Sequence, residues 1–575
     1  MSISRREFLQ ILAVASAAGF NLEGCNSKSN KTKAASATAA ATKTPSNPYE
    51  LPTFGNVSLL HFTDTHAQLL PIYFREPNIN LGVGSMKGHP PHLVGNDFLK
   101  YYGVRPGTHD AYAFTFLDFV NLAHKYGALG GFAHLATLIK QLRAQRPGAL
   151  LLDGGDTWQG SATSLWTKGQ DMIDAQLLMG VDMMTAHWDF TYGADRMKQV
   201  INKDFKGKID FLAQNVFDTW EDPVFTPYVI KEINGVPVAI IGQAFPYTPV
   251  ANPRYLIPDW SFGIHDNHMQ KMVNEARSKG AQVIVLLSHN GMDVDLKLAT
   301  RVTGIDVILG GHTHDAVPVP VVVSNAGGKT VVTNAGCSGK FLGVLDLDVT
   351  NGKLRGYRYK LLPIFSNLIE PDPAMAAHIE KARAPFQSKL EEKLAVTDSL
   401  LYRRGNFNGT FDQLICDALR EVQDAQIALS PGFRWGTSVL PGEPITFEQV
   451  MNQTAITYPV VTLNYLTGAQ LKSNMEDVAD NLFNKDPYYQ QGGDMVRVGG
   501  LKYTIDPEQN IGHRISDMIL NGKPVDPNKK YKVAGWASVA RPLEGTPVWD
   551  VVAEYLRNKK TVQIKHLNEP KIKGL

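Results

Sequence analysis

Cysteine is almost absent from this chain, with three among 575 residues, at positions 25, 337 and 416. Three thiols cannot build a disulfide framework. Cys337 and Cys416 are expected to pack as small apolar side chains in separate domains. A charge excess is absent as well. The 57 Lys and Arg residues balance 55 Asp and Glu, leaving no field that would recruit nucleic acid or an anionic membrane. Long apolar runs are also absent. Residues 11–20 are too short to span a bilayer as a helix, so no transmembrane segment is expected in the mature protein. No internal repeat is evident. The remaining composition is that of an ordinary globular protein, 43% hydrophobic. Its length exceeds what one core can serve, and two domains with extensions are expected.

The N-terminus reads as a targeting segment. Ser4-Arg5-Arg6-Glu7-Phe8-Leu9, followed by the apolar residues 11–20, matches a twin-arginine export signal. It predicts a periplasmic protein exported in the folded state. The competing reading is a basic amphipathic helix. Leu22-Glu23-Gly24-Cys25 follows a lipobox except at Glu23, so a lipid anchor at Cys25 and plain cleavage are both open. Residues 26–52, rich at first in Ala, Thr, Ser and Lys, read as a disordered tether.

Chemistry is concentrated where apolar runs stop. Residues 283–288 and 305–309 are β-branched, apolar and bounded by turn residues, the pattern of buried parallel strands. The first ends at His289, the second at Gly310-Gly311-His312-Thr313-His314. Residues 57–62 end in Asp64-Thr65-His66, and residues 149–152 in Asp153-Gly154-Gly155-Asp156. Ligands bind at the carboxyl ends of strands in open α/β sheets, so these side chains are candidate metal ligands. A carboxylate such as Asp156 can bridge two ions about 3.5–4 Å apart. Mixed carboxylate and imidazole donors suit manganese, iron or zinc, and with no cysteine among them thiolate-zinc chemistry is excluded. Taken singly, each Asp could instead cap a helix and each His could be structural.

The order D-x-H, G-D, H, G-H-x-H resembles the calcineurin-like metallophosphoesterases, and within them the 5′-nucleotidase branch. The resemblance runs from about residue 54 to the C-terminus. It implies an α/β fold, a four-layer α/β/β/α sandwich carrying two metals, followed by a smaller α+β C-terminal domain of the 5′-nucleotidase type. By position, Asp64, His66, Asp156 and His314 would hold one metal, and Asp156, His289 and His312 the other. The expected divisions are 1–25 signal, 26–52 tether, 53–365 dimetal domain, whose last strand is expected to close at Asp346-Leu347-Asp348, 366–396 linker helix and 397–575 C-terminal substrate domain.

One block departs from the family pattern. Where phosphoesterases carry G-N-H-[ED], this chain reads Thr185-Ala186-His187-Trp188-Asp189. The Asn that binds metal is Ala186, which cannot. Either a replacement donor comes from elsewhere, with Asn215 at the end of the following strand the candidate, or the site has an open position; the competing reading makes Asn215 a turn residue. The block His187-Trp188-Asp189-Phe190-Thr191-Tyr192-Gly193 instead resembles the SoxB family of thiosulfohydrolases. So do residues 429–436, residues 488–497 and Glu7-Phe8-Leu9-Gln10.

That resemblance implies two manganese ions and a hydroxide activated between them. It also implies a substrate, the cysteine S-thiosulfonate on the C-terminal arm of the carrier SoxYZ, with release of sulfate. His187 would stand near the leaving sulfur or an equatorial oxygen. Arg434, with a planar fork of donors suited to oxyanions, is both a catalytic and a substrate-binding candidate. Trp435 and Tyr489 are candidates to line the channel for the arm, with Gly492 and Gly493 allowing close backbone approach. A monomer is expected. The alternatives are an exported 5′-nucleotidase or related phosphoesterase, and a non-catalytic binding subunit with the same fold.

Overall fold

A computed structural model describes residues 48–574. The twin-arginine segment, Cys25 and most of the expected tether lie outside the described residues. Two six-stranded sheets form the centre of the first domain. In the first sheet the order is Lys353–Pro363, Phe341–Thr350, Val57–Phe62, Leu150–Asp153, Met183–Met184, Asp210–Phe211. The last four strands run parallel, and the first two add as antiparallel neighbours. In the second sheet the order is Val321–Asn325, Gly328–Asn334, Val307–Gly310, Val283–Ser288, Val236–Gln243, Tyr228–Ile233, with a parallel centre and antiparallel edges.

Strand alternation explains why these sheets stack. Val57 and Leu59 enter the core between the sheets, whereas Leu60 and Phe62 face the helices outside. Val283, Val285 and Leu287 enter the same inner core, and Ile284 and Leu286 the outer one. A strand apolar on both faces must be covered on both. Helices Phe132–Gln145 and Gln170–Met179 cover the first sheet, and Asp266–Ser278 and Met292–Arg301 the second. The result is the expected α/β/β/α sandwich.

Two sequence expectations differ in detail. The last strand of the domain is not the one ending near Asp348, because Asn351 and Gly352, both at positive φ, turn the chain back into Lys353–Pro363. Positive φ at two successive residues is what a tight hairpin requires. The linker helix is also shorter than expected. It spans Pro373–Arg383, capped by the Asp372 side chain, which accepts from the Met375 N–H, and it packs on the first domain's outer helices. Pro385 falls in a short 3-10 turn, and by Lys393–Thr397 the chain is a strand.

The second domain is α+β. One of its two four-stranded sheets, ordered Val461–Thr467, Lys530–Trp536, Ile427–Ser430, Arg497–Gly499, packs against helices Thr410–Val422 and Val548–Lys559. The inner strand Ile427–Ser430 ends at residues 431–436, which it projects toward the metal loops of the first domain. Cys337 and Cys416 are buried and unbridged. Among the described residues no helix is long and apolar enough to cross a membrane.

Candidate metal centre

The strand ends converge. Two groups of buried donors form, Asp64, His66, Asp156 and His314 in one, and Asp156, His187, His289 and His312 in the other, with ligand atoms within 4.8 Å of one another in each. Asp156 belongs to both. The backbone that delivers these donors is strained. Asp64, His66, Asp156, His312 and His314 all have φ between 45° and 71°, the left-handed region that non-glycine residues occupy only when their surroundings compel it. Cross-loop hydrogen bonds supply that compulsion. The Asp64 N–H donates to Gly155 O at 2.8 Å, the His66 N–H to Asp156 O at 2.8 Å, and the His312 N–H to both Asp64 carboxylate oxygens at 3.0 Å.

The imidazoles are oriented for a cation. The His289 Nδ1–H donates to Gly154 O at 2.6 Å, which turns Nε2 toward Asp156 Oδ2 at 3.2 Å and Asp64 Oδ1 at 3.6 Å. The His66 Nδ1–H donates to Gln159 O, and its Nε2 lies 3.0 Å from His314 Nε2. Carbonyl-anchored imidazoles are the usual outer support of metal-binding histidines. Buried His289 Nε2 and both nitrogens of His187 lack hydrogen-bond partners, a deficit a divalent cation would remove. The donor set therefore fits a dinuclear metal site.

Electrostatics agree. Burial lowers His289, but Asp156 and Asp64 overcome it and push it up to about 10. Burial, reinforced by neighbouring cationic groups, drives His312 and His314 far below the usual imidazole range. Burial disfavours the charge on Asp156, yet His187 and His289 hold it well below the carboxylate range. Burial raises Asp64. His312 and His314 are thereby neutral and Asp156 ionised, the states in which such groups bind a metal, and a cation would displace the proton that Asp156 and Asp64 hold on His289.

Asn215 is a correction. Its Nδ2 donates to Ala244 O at 2.8 Å and Gly263 O at 3.0 Å, and its Oδ1 accepts from the Ala244 N–H at 2.9 Å. The amide braces a loop and is not turned to the donors. His187, whose Nδ1 is 3.4 Å from Asp156 Oδ2, lies within the second donor group, where Asn215 was expected.

A cleft of about 770 Å³ opens over the donors, lined on the far side by the second domain. Trp435 is buried and stacks on His66, with ring centroids 5.4 Å apart, and on Phe433 at 4.0 Å. Arg434 Nη1 reaches His312 O at 3.4 Å, while its Nε is 3.7 Å from Asp494 Oδ1 without a hydrogen bond. Gly492 makes a close approach within the chain: a Cβ there would lie 1.9 Å from His312 Nε2. Gly492 and Gly493 both line the cleft. Tyr489 does not line the cleft. It is 62% exposed and borders a shallower groove that shares Tyr247 and Val250 with it.

Sequence reasoning missed three residues here. Phe245 stacks on His312 at 4.1 Å. Arg404 donates to Thr313 O at 3.0 Å. Asp494 accepts from Arg497 at 2.9 Å, Asn406 at 3.3 Å and Arg404 at 3.5 Å, so two second-domain arginines that touch the His312–Thr313 backbone share one carboxylate. The adjacent Arg403-Arg404 pair was the available signal.

With this geometry in hand, relatives are informative. Residues 394–550 match the family model described as 5′-nucleotidase, C-terminal domain. The structure superposes on sulfate thiohydrolase SoxB of Thermus thermophilus, solved in complex with glycerol, with a TM-score of 0.88 and 38% identity over 92% of this chain and 98% of that one. The chain belongs to the SoxB family. Its fold extends to more distant proteins. A 5′-nucleotidase precursor, also from Thermus thermophilus, has a TM-score of 0.70 at 22% identity, covering 90% of this chain and 99% of that one. Bovine 5′-nucleotidase is 25% identical over 454 residues, 70% of this chain and 76% of its own. This chain thus shares the 5′-nucleotidase fold and is a hydrolase of that family, with two adjoining groups of buried donors that suit a dinuclear metal site.

Proposed function

We propose that the chain is a thiosulfohydrolase that hydrolyses a cysteine S-thiosulfonate carried on a protein, releasing sulfate. The observation that carries this reading is the 38% identity to the thiohydrolase SoxB over nearly its whole length. The altered block supports it, with Ala186 where a nucleotidase places Asn and His187 among the donors. The balanced reaction is Cys–S–S–SO3⁻ + H2O giving Cys–S–S⁻ + SO4²⁻ + 2 H⁺. The water oxygen bonds to the terminal sulfur, the S–S bond breaks, and its electron pair leaves with the carrier's sulfur, so no oxidant is needed.

Asp64, His66, Asp156 and His314 would hold one cation, and Asp156, His187, His289 and His312 the other; manganese is the proposed metal for both. Two such ions lower the pKa of water and screen the charge of the sulfonate. The chain's own residues then do the rest. Arg434, which lines the cleft from the second domain, holds sulfonate oxygens through its planar fork. Trp188, Phe433 and Trp435 form one aromatic cluster that excludes bulk water and strengthens each charge interaction inside. A persulfide is a weakly basic leaving group and departs without a strong general acid, which frees His187 to serve as a donor.

Export through the twin-arginine route to the periplasm, a monomeric state and the carrier SoxYZ as partner belong to the same proposal. The test is sulfate release from a carrier-bound cysteine S-thiosulfonate by Mn2+-loaded protein, with AMP hydrolysis measured beside it. Sulfate release with little phosphate is the expected result. Rapid AMP hydrolysis without sulfate would overturn the reading in favour of an exported 5′-nucleotidase.

A further inference from the structure

Asp189 follows His187 by two residues, is fully buried and belongs to neither donor group. Its carboxylate accepts four backbone hydrogen bonds. Oδ2 takes the N–H of Asp156 at 2.9 Å and of His187 at 3.3 Å. Oδ1 takes the N–H of Thr157 at 3.0 Å and of Trp158 at 2.8 Å. The Trp188 N–H, between them in sequence, donates to Asp156 Oδ1 at 2.5 Å. Residues 187–189 therefore hold Asp156 at both its backbone and its side chain. Asp156 needs that support, because its φ of 57° is disfavoured for any residue with a Cβ.

We infer that Asp189 is a positioning residue for the metal centre, setting the backbone of Asp156 and His187 so that the shared carboxylate and the replacement imidazole face the same ion. A carboxylate suits this work because it is acceptor-only and can serve four N–H groups at once. A neutral amide cannot. In Asp189→Asn one pair of N–H groups would meet an NH2 instead of an oxygen, whichever way the amide is turned. The inference rests on the dimetal reading and not on the choice of substrate.

The test is titration of metal-free Asp189→Asn with Mn2+ alone, followed by calorimetry and by electron paramagnetic resonance, with circular dichroism and thermal unfolding of the metal-free protein to establish folding. Supports of this kind typically contribute 10–100-fold in metal affinity, so affinity is expected to fall by about that factor, with a mononuclear manganese spectrum replacing that of a coupled pair. A folded Asp189→Asn that binds Mn2+ within about threefold of wild type and keeps the coupled spectrum would overturn the inference. If Asp189→Asn does not fold, Asp189→Ser, which introduces no amide donor, carries the same measurement. Failure of both to fold would also overturn it, by making the carboxylate a requirement of the fold. Wild-type protein that takes up no Mn2+ would instead remove the dimetal reading itself.

Discussion

The two domains meet at one cleft with different equipment. The first contributes the metal donors, delivered from strand ends through short loops whose backbone is forced into the left-handed region. The second contributes no member of either donor group. It supplies Arg434, a stacked aromatic pair and a glycine that lies against a metal-facing imidazole, from irregular segments. The difference teaches where each property can change. Donors locked by cross-loop hydrogen bonds tolerate little alteration, whereas loops on a separate domain can alter the substrate while the metal chemistry stays the same. A fold shared with nucleotidases at 22–25% identity fits that division.

The largest expected effect probes the first domain. Asp156→Ala removes the one donor common to both groups, and metal content measured by mass spectrometry should fall to background, with kcat/KM reduced by ~10³-fold or more. A metal-replete, active variant would erase the contrast between the domains. Arg434→Ala probes the second. Sulfate release should fall by about 10²-fold in kcat/KM while Mn2+ content stays at the wild-type level, and loss of metal would show that the division of labour is not clean. Gly492→Ala tests the contact between the domains. A Cβ there collides with His312, so thermal unfolding should report a loss of about 1–3 kcal/mol, together with weaker Mn2+ binding in calorimetry. Tyr489→Ala sits at the bottom of the scale. Its side chain is exposed outside the cleft, and stability should stay within about 0.5 kcal/mol of wild type with metal content unchanged.

Much of the first domain could be read from its sequence because strand periodicity and strand-end chemistry are local. The runs ending at Asp64, Asp156, His289 and His312 were visible as strands, and the donors followed directly. The second domain was less legible. Arg434 and Trp435 stood out as residue types, but Tyr489 in a similar aromatic setting lies outside the cleft. The hairpin at Asn351-Gly352 carried a turn signal that a charged, half-exposed edge strand obscured. Asn215 misled because an amide at a strand end is equally suited to a metal and to a loop carbonyl, and only the neighbouring Ala244 and Gly263 backbone decides between them.

The sequence by itself determined the buried strands and the six donors at their ends, Asp64, His66, Asp156, His289, His312 and His314, because apolar periodicity and chemically capable side chains are properties of the chain alone; the layered arrangement was implied by the family resemblance. Tertiary structure decided how those donors group. His187 joins Asp156, His289 and His312 because residues 184–189 return beside the turn that holds Asp156, a proximity between segments about 30 residues apart. It also decided that Gly492 meets His312 and that Arg404 and Arg434 share Asp494. The first contact depends on the relative placement of two domains and the second on how distant segments of the second domain fold together, neither of which a local pattern encodes.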